Sequence, residues 1–345
     1  MDTITYGEIS PRVGIKAVAR LLMVGQPLLV TQRFAQQESM KRNSGDTVKW
    51  RRYNKFVVSK APLAEGVPPA LQGLTKTDYT AVLRQYGAVA KLTDVVMDLH
   101  EDNILSVLID RSGEQMAETI EAVTIDVLKA GTTVVYANGA ANRLAVNSPV
   151  LRGDFRLVQR GFDRNSARMI SSVIAPSGLI STMGVEAGYF AMGHTDLDPD
   201  IRTITGFKSY VEYGDPMKRL PGEVGAVGQF RIILTNMFSP WTASGLTGTT
   251  YLSGGAKVSA TAQCDVYPII CVARDAYGVV RLQTTGADQN NGKSPVGVKV
   301  LQPKPRGGDP LGQSGSVGWI AYFACAILSE QWLARIECAC TASPS

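Results

Sequence analysis

Few residues in this chain could do chemistry, and their spacing suits little of it. Of the two histidines, any metal or acid–base centre of the imidazole type must use His100 or His194. His100 runs directly into Glu101 and Asp102 with no second histidine nearby, which reads as the acidic start of a helix. His194 stands with Asp196, Asp198 and Asp200. Such carboxylates suit calcium, but the central glycine and final glutamate of an EF-hand loop are missing, so a solvated loop is expected. The five cysteines are Cys264, Cys271, Cys325, Cys338 and Cys340. They contain no Cys-x-x-Cys pair for zinc and read as reduced apolar fillers. Gly286-Ala287-Asp288-Gln289-Asn290-Asn291-Gly292-Lys293-Ser294 has five residues between the first glycine and the Gly-Lys pair, whereas a phosphate-cradling loop needs four. Gly222, Gly225 and Gly228 lead into the strand-like Phe230-Arg231-Ile232-Ile233-Leu234, not into the helix that a dinucleotide fingerprint opens. No Gly-x-Ser-x-Gly elbow occurs. The residues therefore support no catalytic, metal or cofactor site.

Composition points the same way. Of 345 residues, 45% are apolar and 19% charged, too apolar for disorder and less charged than the roughly 25% of an ordinary soluble protein. Much of the outer surface is thus expected to be covered in the working state. No run of 18–20 apolar residues could span a bilayer, and Met1–Arg12 lacks the apolar core of a signal peptide, so no membrane is expected and synthesis in a cytoplasm is. The net charge of +5 is uneven: residues 1–60 hold eleven Lys/Arg and four acids, a local +7. A basic arm of this kind meets either nucleic acid or acidic patches of a neighbour.

The elements that must position these charges follow from periodicity. Ser10-Pro11 caps a first helix with Ile15, Val18, Ala19, Leu22 and Met23 on one face. Thr47–Tyr53 is a strand, Ala61–Gly73 a loop tip, and 78–94 returns with strand character, so 46–94 forms a long two-stranded excursion. Residues 103–130 carry an apolar stripe (Ile104, Leu105, Leu108, Ile109, Met116, Ile120, Val123, Val127, Leu128) with Glu114, Glu118 and Glu121 off it. At 1.5 Å per residue this spine helix spans roughly 40 Å. A shorter helix is predicted over Asp163–Ile174, with Asp163 as its cap. Phe230–Met237 and Asp265–Val272 are predicted strands, 239–262 a Ser/Thr/Gly surface loop, and 284–316 a connector. Val317–Leu328 and Trp332–Thr341 are predicted as a closing strand pair.

The residues also carry a resemblance. Tyr6-Gly7-Glu8-Ile9-Ser10-Pro11-Arg12, Gln26-Pro27-Leu28-Leu29-Val30, Val48-Lys49-Trp50-Arg51-Arg52-Tyr53 and Leu63-Ala64-Glu65-Gly66-Val67 resemble a family of tailed-bacteriophage major capsid proteins of the podovirus type. So do Gln85-Tyr86-Gly87, Thr93-Asp94, Leu128–Thr132, Tyr136-Ala137-Asn138, Gly222-Glu223-Val224-Gly225, Asp309–Gln313 and Val317-Gly318-Trp319. These pieces are in order and cover nearly the whole chain.

The resemblance implies an α+β tailed-phage capsid fold, shared with encapsulins. Its parts would be an N-terminal arm (1–40), an extended hairpin loop (41–95), a peripheral domain (96–150 and 310–345) with the spine helix, and an axial domain (151–309). The implied function is a shell of hexamers and pentamers around double-stranded DNA, touched non-specifically at most; an encapsulin-like nanocompartment is the alternative. Portal, a separate scaffolding protein and a decoration protein are the implied further partners. The implied place is the virion, assembled in the host cytoplasm. The expected inter-subunit contact lays Trp50 and Tyr53 as aromatic anchors on a neighbour's spine helix and pairs Arg51 and Arg52 with Glu114, Glu118 or Glu121 there, and Arg12 is a further expected contact residue.

Overall fold

The computed structural model describes residues 3–4, 29–60, 62, 65–66, 71–100, 103–172, 185–213, 219–247, 251–253, 256–257, 263–283, 296–305 and 307–342. The predicted first helix, Arg12, the Glu101-Asp102 pair and the Gly286–Ser294 loop lie outside them. The strands are β1 (Thr3–Ile4), β2 (Gln36–Met40), β3 (Thr47–Tyr53), β4 (Lys76–Val82), β5 (Arg84–Thr93), β6 (Val134–Tyr136), β7 (Tyr189–Gly193), β8 (Phe207–Ser209), β9 (Glu223–Val227), β10 (Phe230–Leu234), β11 (Leu252–Ser253), β12 (Ala256–Lys257), β13 (Val266–Val272), β14 (Tyr277–Leu282), β15 (Gly297–Leu301), β16 (Ser314–Ile327) and β17 (Leu333–Ala339). The helices are α1 (Asp94–Leu99), α2 (Ile104–Lys129), α3 (Arg152–Arg164) and α4 (Asp198–Arg202).

Two sheets carry the core. One has the order β1-β5-β16-β14-β2, with β15 also paired to β16; the other runs β6-β17-β13-β7-β10-β9-β8. The second sheet is buried on both faces, and the two-residue period of a strand divides its side chains between them. Tyr189, Ala191, Ile269, Cys271, Ile336 and Cys338 point to one side, where Phe155, Val158 and Phe162 of α3 and Ile201 of α4 cover them. Phe190, Met192, Ile270, Val272 and Leu333 point to the other side, where they join Ile125 and Leu128 of α2 with Tyr277, Val279 and Phe323 of the first sheet. The two sheets thus share one core through the C-terminal half of α2.

The spine helix matches its expectation closely. Asn103 caps it by accepting from the Ser106 N–H at 3.2 Å. Trp319 of β16 is buried under it and donates its indole N–H to Gln115 Oε1 at 2.9 Å.

Three expectations are corrected. The return strand predicted over 78–94 is broken at Leu83: β4 stays with β3, whereas β5 pairs with β16 and β1 in the first sheet, so the two-stranded excursion is shorter than 46–94. The helix predicted over Asp163–Ile174 lies a dozen residues earlier, as α3, and Asp163 belongs to its last turn. The start is set by Asp154, whose carboxylate accepts the Leu151 N–H at 2.9 Å and the Asn138 N–H at 3.3 Å, and the inward stripe is Phe155, Val158 and Phe162. The terminal strands do not pair with each other. β16 pairs with β5, β14 and β15, whereas β17 pairs with β13 and β6, so the 3₁₀ turn Glu330–Trp332 carries the chain from one sheet to the other. Sheet membership also crosses the expected segment boundaries. β13 and β14 both fall within 151–309, yet β13 lies between β17 and β7, and β14 between β16 and β2.

Candidate subunit-contact surface

The basic, aromatic strand β3 pairs antiparallel with β4 in a two-stranded ribbon, Trp50 opposite Tyr79, Arg51 opposite Asp78 and Tyr53 opposite Lys76. Alternation along β3 sorts the expected contact residues into two sets: Val48, Trp50 and Arg52 are half-buried, and Lys49, Arg51 and Tyr53 are exposed.

The inward set docks the ribbon on its own chain. Trp50 packs with Val48 and Leu83 against Met40, Ala81, Val280 and Ala324. Its indole N–H is buried with no acceptor among the described residues, so the ring is held by packing. The seat is Gly278 of β14, where a Cβ would lie 2.7 Å from Trp50 Cζ2 and 3.1 Å from Cε2. Arg52 donates to the Leu328 carbonyl at 2.8 Å, with its guanidinium 5.4 Å from the Tyr79 ring and 5.2 Å from the Trp332 ring. Gly278→Ala is therefore expected to displace the indole and destabilise the subunit by about 1–3 kcal/mol, as overpacking does. Proteolysis within 54–75 should quicken, and an unchanged denaturation midpoint with unchanged cleavage would argue against the seat.

The outward set is left for other contacts. Arg51 Nε donates to Asp78 Oδ1 at 2.9 Å and Nη2 to Oδ2 at 3.3 Å; this pairing holds the Asp78 carboxyl below its ordinary range. Both groups lie at the surface, where such a pair contributes little to stability. Tyr53 is exposed beside Arg51, and beyond it Phe56, Val57, Val58, Leu71 and Leu74 are all exposed, Val57 by 82%. This apolar cluster is the part of the surface that pattern reading missed. Its signal was present in Phe56-Val57-Val58, an apolar run past the end of a strand and bounded by Lys55 and Lys60. Apolar exposure gathered on the two segments that continue the ribbon is of the kind that contact surfaces use.

The three glutamates of α2 meet different surroundings. Glu114 is ion-paired to Arg111 one turn earlier, and Glu118 is half-buried. Glu121 is turned inward: it is fully buried, with Oε1 accepting the Val30 and Thr31 N–H groups and Oε2 the Thr31 hydroxyl, each at 2.7 Å. It binds the segment leaving the arm of its own chain, which removes it from the set a neighbour could reach in this conformation.

The His194 region has its groups engaged by protein partners. His194 Nδ1 accepts the Asp196 N–H at 3.1 Å, and burial lowers its pKa while nearby Asp196 raises it. Asp196 accepts from the Tyr267 hydroxyl at 2.8 Å, Asp198 from Arg202 at 2.9 Å and Asp200 from the Thr341 N–H at 2.8 Å. All five cysteines are free thiols. Burial pushes Cys325 and Cys340 up to about 12 and Cys271 further, which holds them as unreactive thiols.

The ribbon thus ends in exposed apolar side chains, and no group of three or more His, Cys, Asp or Glu that could hold a metal ion occurs among the described residues. The model of the family described as phage capsid protein matches residues 77–336, most of the chain. The chain belongs to the phage capsid protein family. The major capsid protein of Pseudomonas phage KPP21 is 22% identical to it over 272 residues. The match takes in 74% of this chain and 66% of that relative, so the chain spans just under two thirds of the relative's length. The capsid of Ralstonia phage GP4 superposes with a TM-score of 0.62 at 11% identity, over 100% of this chain and 99% of that one. The capsid structure of cyanophage P-SCSP1u gives 0.58 at 13% identity, over 95% and 93%. At these identities the likeness is one of fold: this family member has the tailed-phage capsid fold, an α+β architecture built on a spine helix.

Proposed function

We propose that this protein is the major capsid protein of a tailed phage, and that its copies assemble as hexamers and pentamers into an icosahedral shell enclosing packaged double-stranded DNA. The observation that carries this is the exposed apolar cluster Phe56, Val57, Val58, Leu71 and Leu74 beyond the docked part of the ribbon. A single copy leaves it in water; a neighbour laid against it would cover it. Family membership and the full-length likeness to phage capsids support the same reading. Contacts that rotate head to tail around an axis close into rings, as capsomers require. In this reading the ribbon reaches a neighbour through its tip, Tyr53 and Arg51, with Glu118 and Glu114 on α2 as the acids that receive it, and the arm makes its own contact through Arg12. Trp50 and Arg52 act indirectly, by fixing the ribbon's direction. The sheet that carries β17 and α3 forms the axial part, and α2 with the sheet that carries β16 the peripheral part. The virion is then where the protein works, after assembly in the host cytoplasm; portal, a separate scaffolding protein and a decoration protein are its further partners.

Electron microscopy of the expressed protein, alone and with its phage's scaffolding protein, is expected to show closed shells. Phe56→Ser with Val57→Ser should leave a folded subunit, with parental circular dichroism, that no longer closes shells. Parental monomers under all such conditions would overturn the reading, and normal shells from the double variant would remove the tip from it.

A further inference from the structure

The outer side of α3 carries a feature the contact reading does not use. Arg152, Arg156, Arg160 and Arg164 recur every four residues, Arg168 follows at the same interval, and all five are exposed. Along the helix this spaces the guanidinium groups by about 6 Å over about 18 Å. Phe155, Val158 and Phe162 face the core, so the arginines hold the solvent flank. Arg156 and Arg160 bound a shallow groove of about 460 Å³ that also touches Gly153, Leu157, Gln159 and Asp163.

Acids do not neutralise the row. Between 151 and 169 the acids are Asp154 and Asp163 against five arginines, a local charge of +3. Asp154 is buried and occupied by the Leu151 and Asn138 N–H groups. Asp163, at the edge of the row, accepts from the Tyr189 hydroxyl at 3.4 Å. None of the five arginines is ion-paired to another described residue.

We propose that this row is a sequence-independent contact for the phosphate backbone of double-stranded DNA. Duplex DNA carries one negative charge per about 1.7 Å of axis, so an evenly spaced line of cations can meet phosphates without any base register. Arginine suits the task, because its planar fork stays charged and engages phosphate oxygens in pairs. A protein partner would more readily be met by a compact patch around an aromatic anchor, and the row contains no aromatic residue. The inference rests on the shell reading, since enclosed DNA is what would bring phosphates to it.

The test is binding of a random-sequence duplex to unassembled subunits, followed by fluorescence anisotropy from about 50 to 200 mM salt. R156Q/R160Q is expected to lower low-salt affinity about tenfold or more and to reduce the salt slope by about 2, and R164Q alone by about 1. R156K/R160K should retain most of the affinity, and K55Q/K60Q on the ribbon should leave the contribution of α3 intact. Parental protein with no salt-dependent binding, or an unchanged slope in R156Q/R160Q, overturns the proposal. Shells lost in R156Q/R160Q with its slope unchanged would also overturn it, and would assign the row to a protein contact. Failure of the parental chain to form shells would strike the shell reading separately, because the slope is measured on subunits.

Discussion

Glu337→Ala is expected to lower the stability of the subunit by about 3–5 kcal/mol, the range for removing one partner of a buried ion pair. Glu337 is completely buried in β17. It accepts from Arg143 Nε and Nη2 at 2.7 and 2.8 Å and from Arg335 Nε at 2.7 Å. Arg335 in turn donates to the Gly131 carbonyl at 3.0 Å and to that of Lys129, which satisfies the C-terminal carbonyls of the spine helix. The indole of Trp241 lies 3.8 Å from the Arg143 guanidinium, 4.7 Å from Lys129 Nζ and 5.5 Å from the Arg335 guanidinium. Glu337 is thus the carboxylate that balances two of the three cations gathered around one indole ring. The crowding already shows in Lys129, whose pKa is lowered chiefly by burial, with Arg143 and Arg335 adding to the effect against Asp126. Without Glu337, Arg335 keeps its charge in a buried site. Glu337→Gln should fall between parent and Ala. Arg143→Ala should cost less, because Arg143 is about one-third exposed and Arg335 keeps its partner. Urea unfolding of the four proteins of a Glu337/Arg143 cycle measures the coupling; a loss below about 1 kcal/mol for Glu337→Ala would show that the pair is not held as described.

Glu121→Ala is the second large effect, and it is directional. The carboxylate collects two backbone N–H groups and one hydroxyl from Val30 and Thr31, and Tyr277 donates its hydroxyl to the Thr31 carbonyl. Leaving buried donors without an acceptor costs about 1–3 kcal/mol each, so a loss of about 3 kcal/mol or more is expected. The segment released leads into β2, which pairs parallel with β14 from Gln36 to Met40. Limited proteolysis should therefore find 29–40 much faster in Glu121→Ala than in the parent. Thr31→Val, which removes only the hydroxyl, should cost about 1 kcal/mol. Equal protection of 29–40 in both proteins would disprove the clamp. If the arm reaches a neighbour, Glu121→Ala should also impair shell closure, while Thr31→Val should not.

Legibility in the chain followed the range of the forces involved. The spine helix was readable to within a residue or so at each end, because its stripe, its cap and Gly131 all act within a few positions of one another. The strand Thr47–Tyr53 was readable for the same reason. The start of α3 was not, because the residue that sets it, Asp154, looks like an ordinary helical acid until Asn138 arrives beside it from sixteen residues away. Glu121 looked like the outward acids at 114 and 118, since nothing local distinguishes a glutamate that faces solvent from one that meets Val30 across ninety-one residues.

By itself, the chain determined its strand and helix periods, the lack of a motif for any familiar reaction, the basic bias of its first sixty residues and a family resemblance that the family match later confirmed. All of these depend on residue type and short spacing. Only the tertiary structure decided that β16 and β17 part into different sheets, that Trp50 and Arg52 turn inward while Arg51 and Tyr53 turn outward, and that Glu337 lies between two arginines. Each of those depends on which distant surface is present to bury a side chain or complete a hydrogen bond. Alternation states that two faces exist, and only a packed neighbour states which of them is inside.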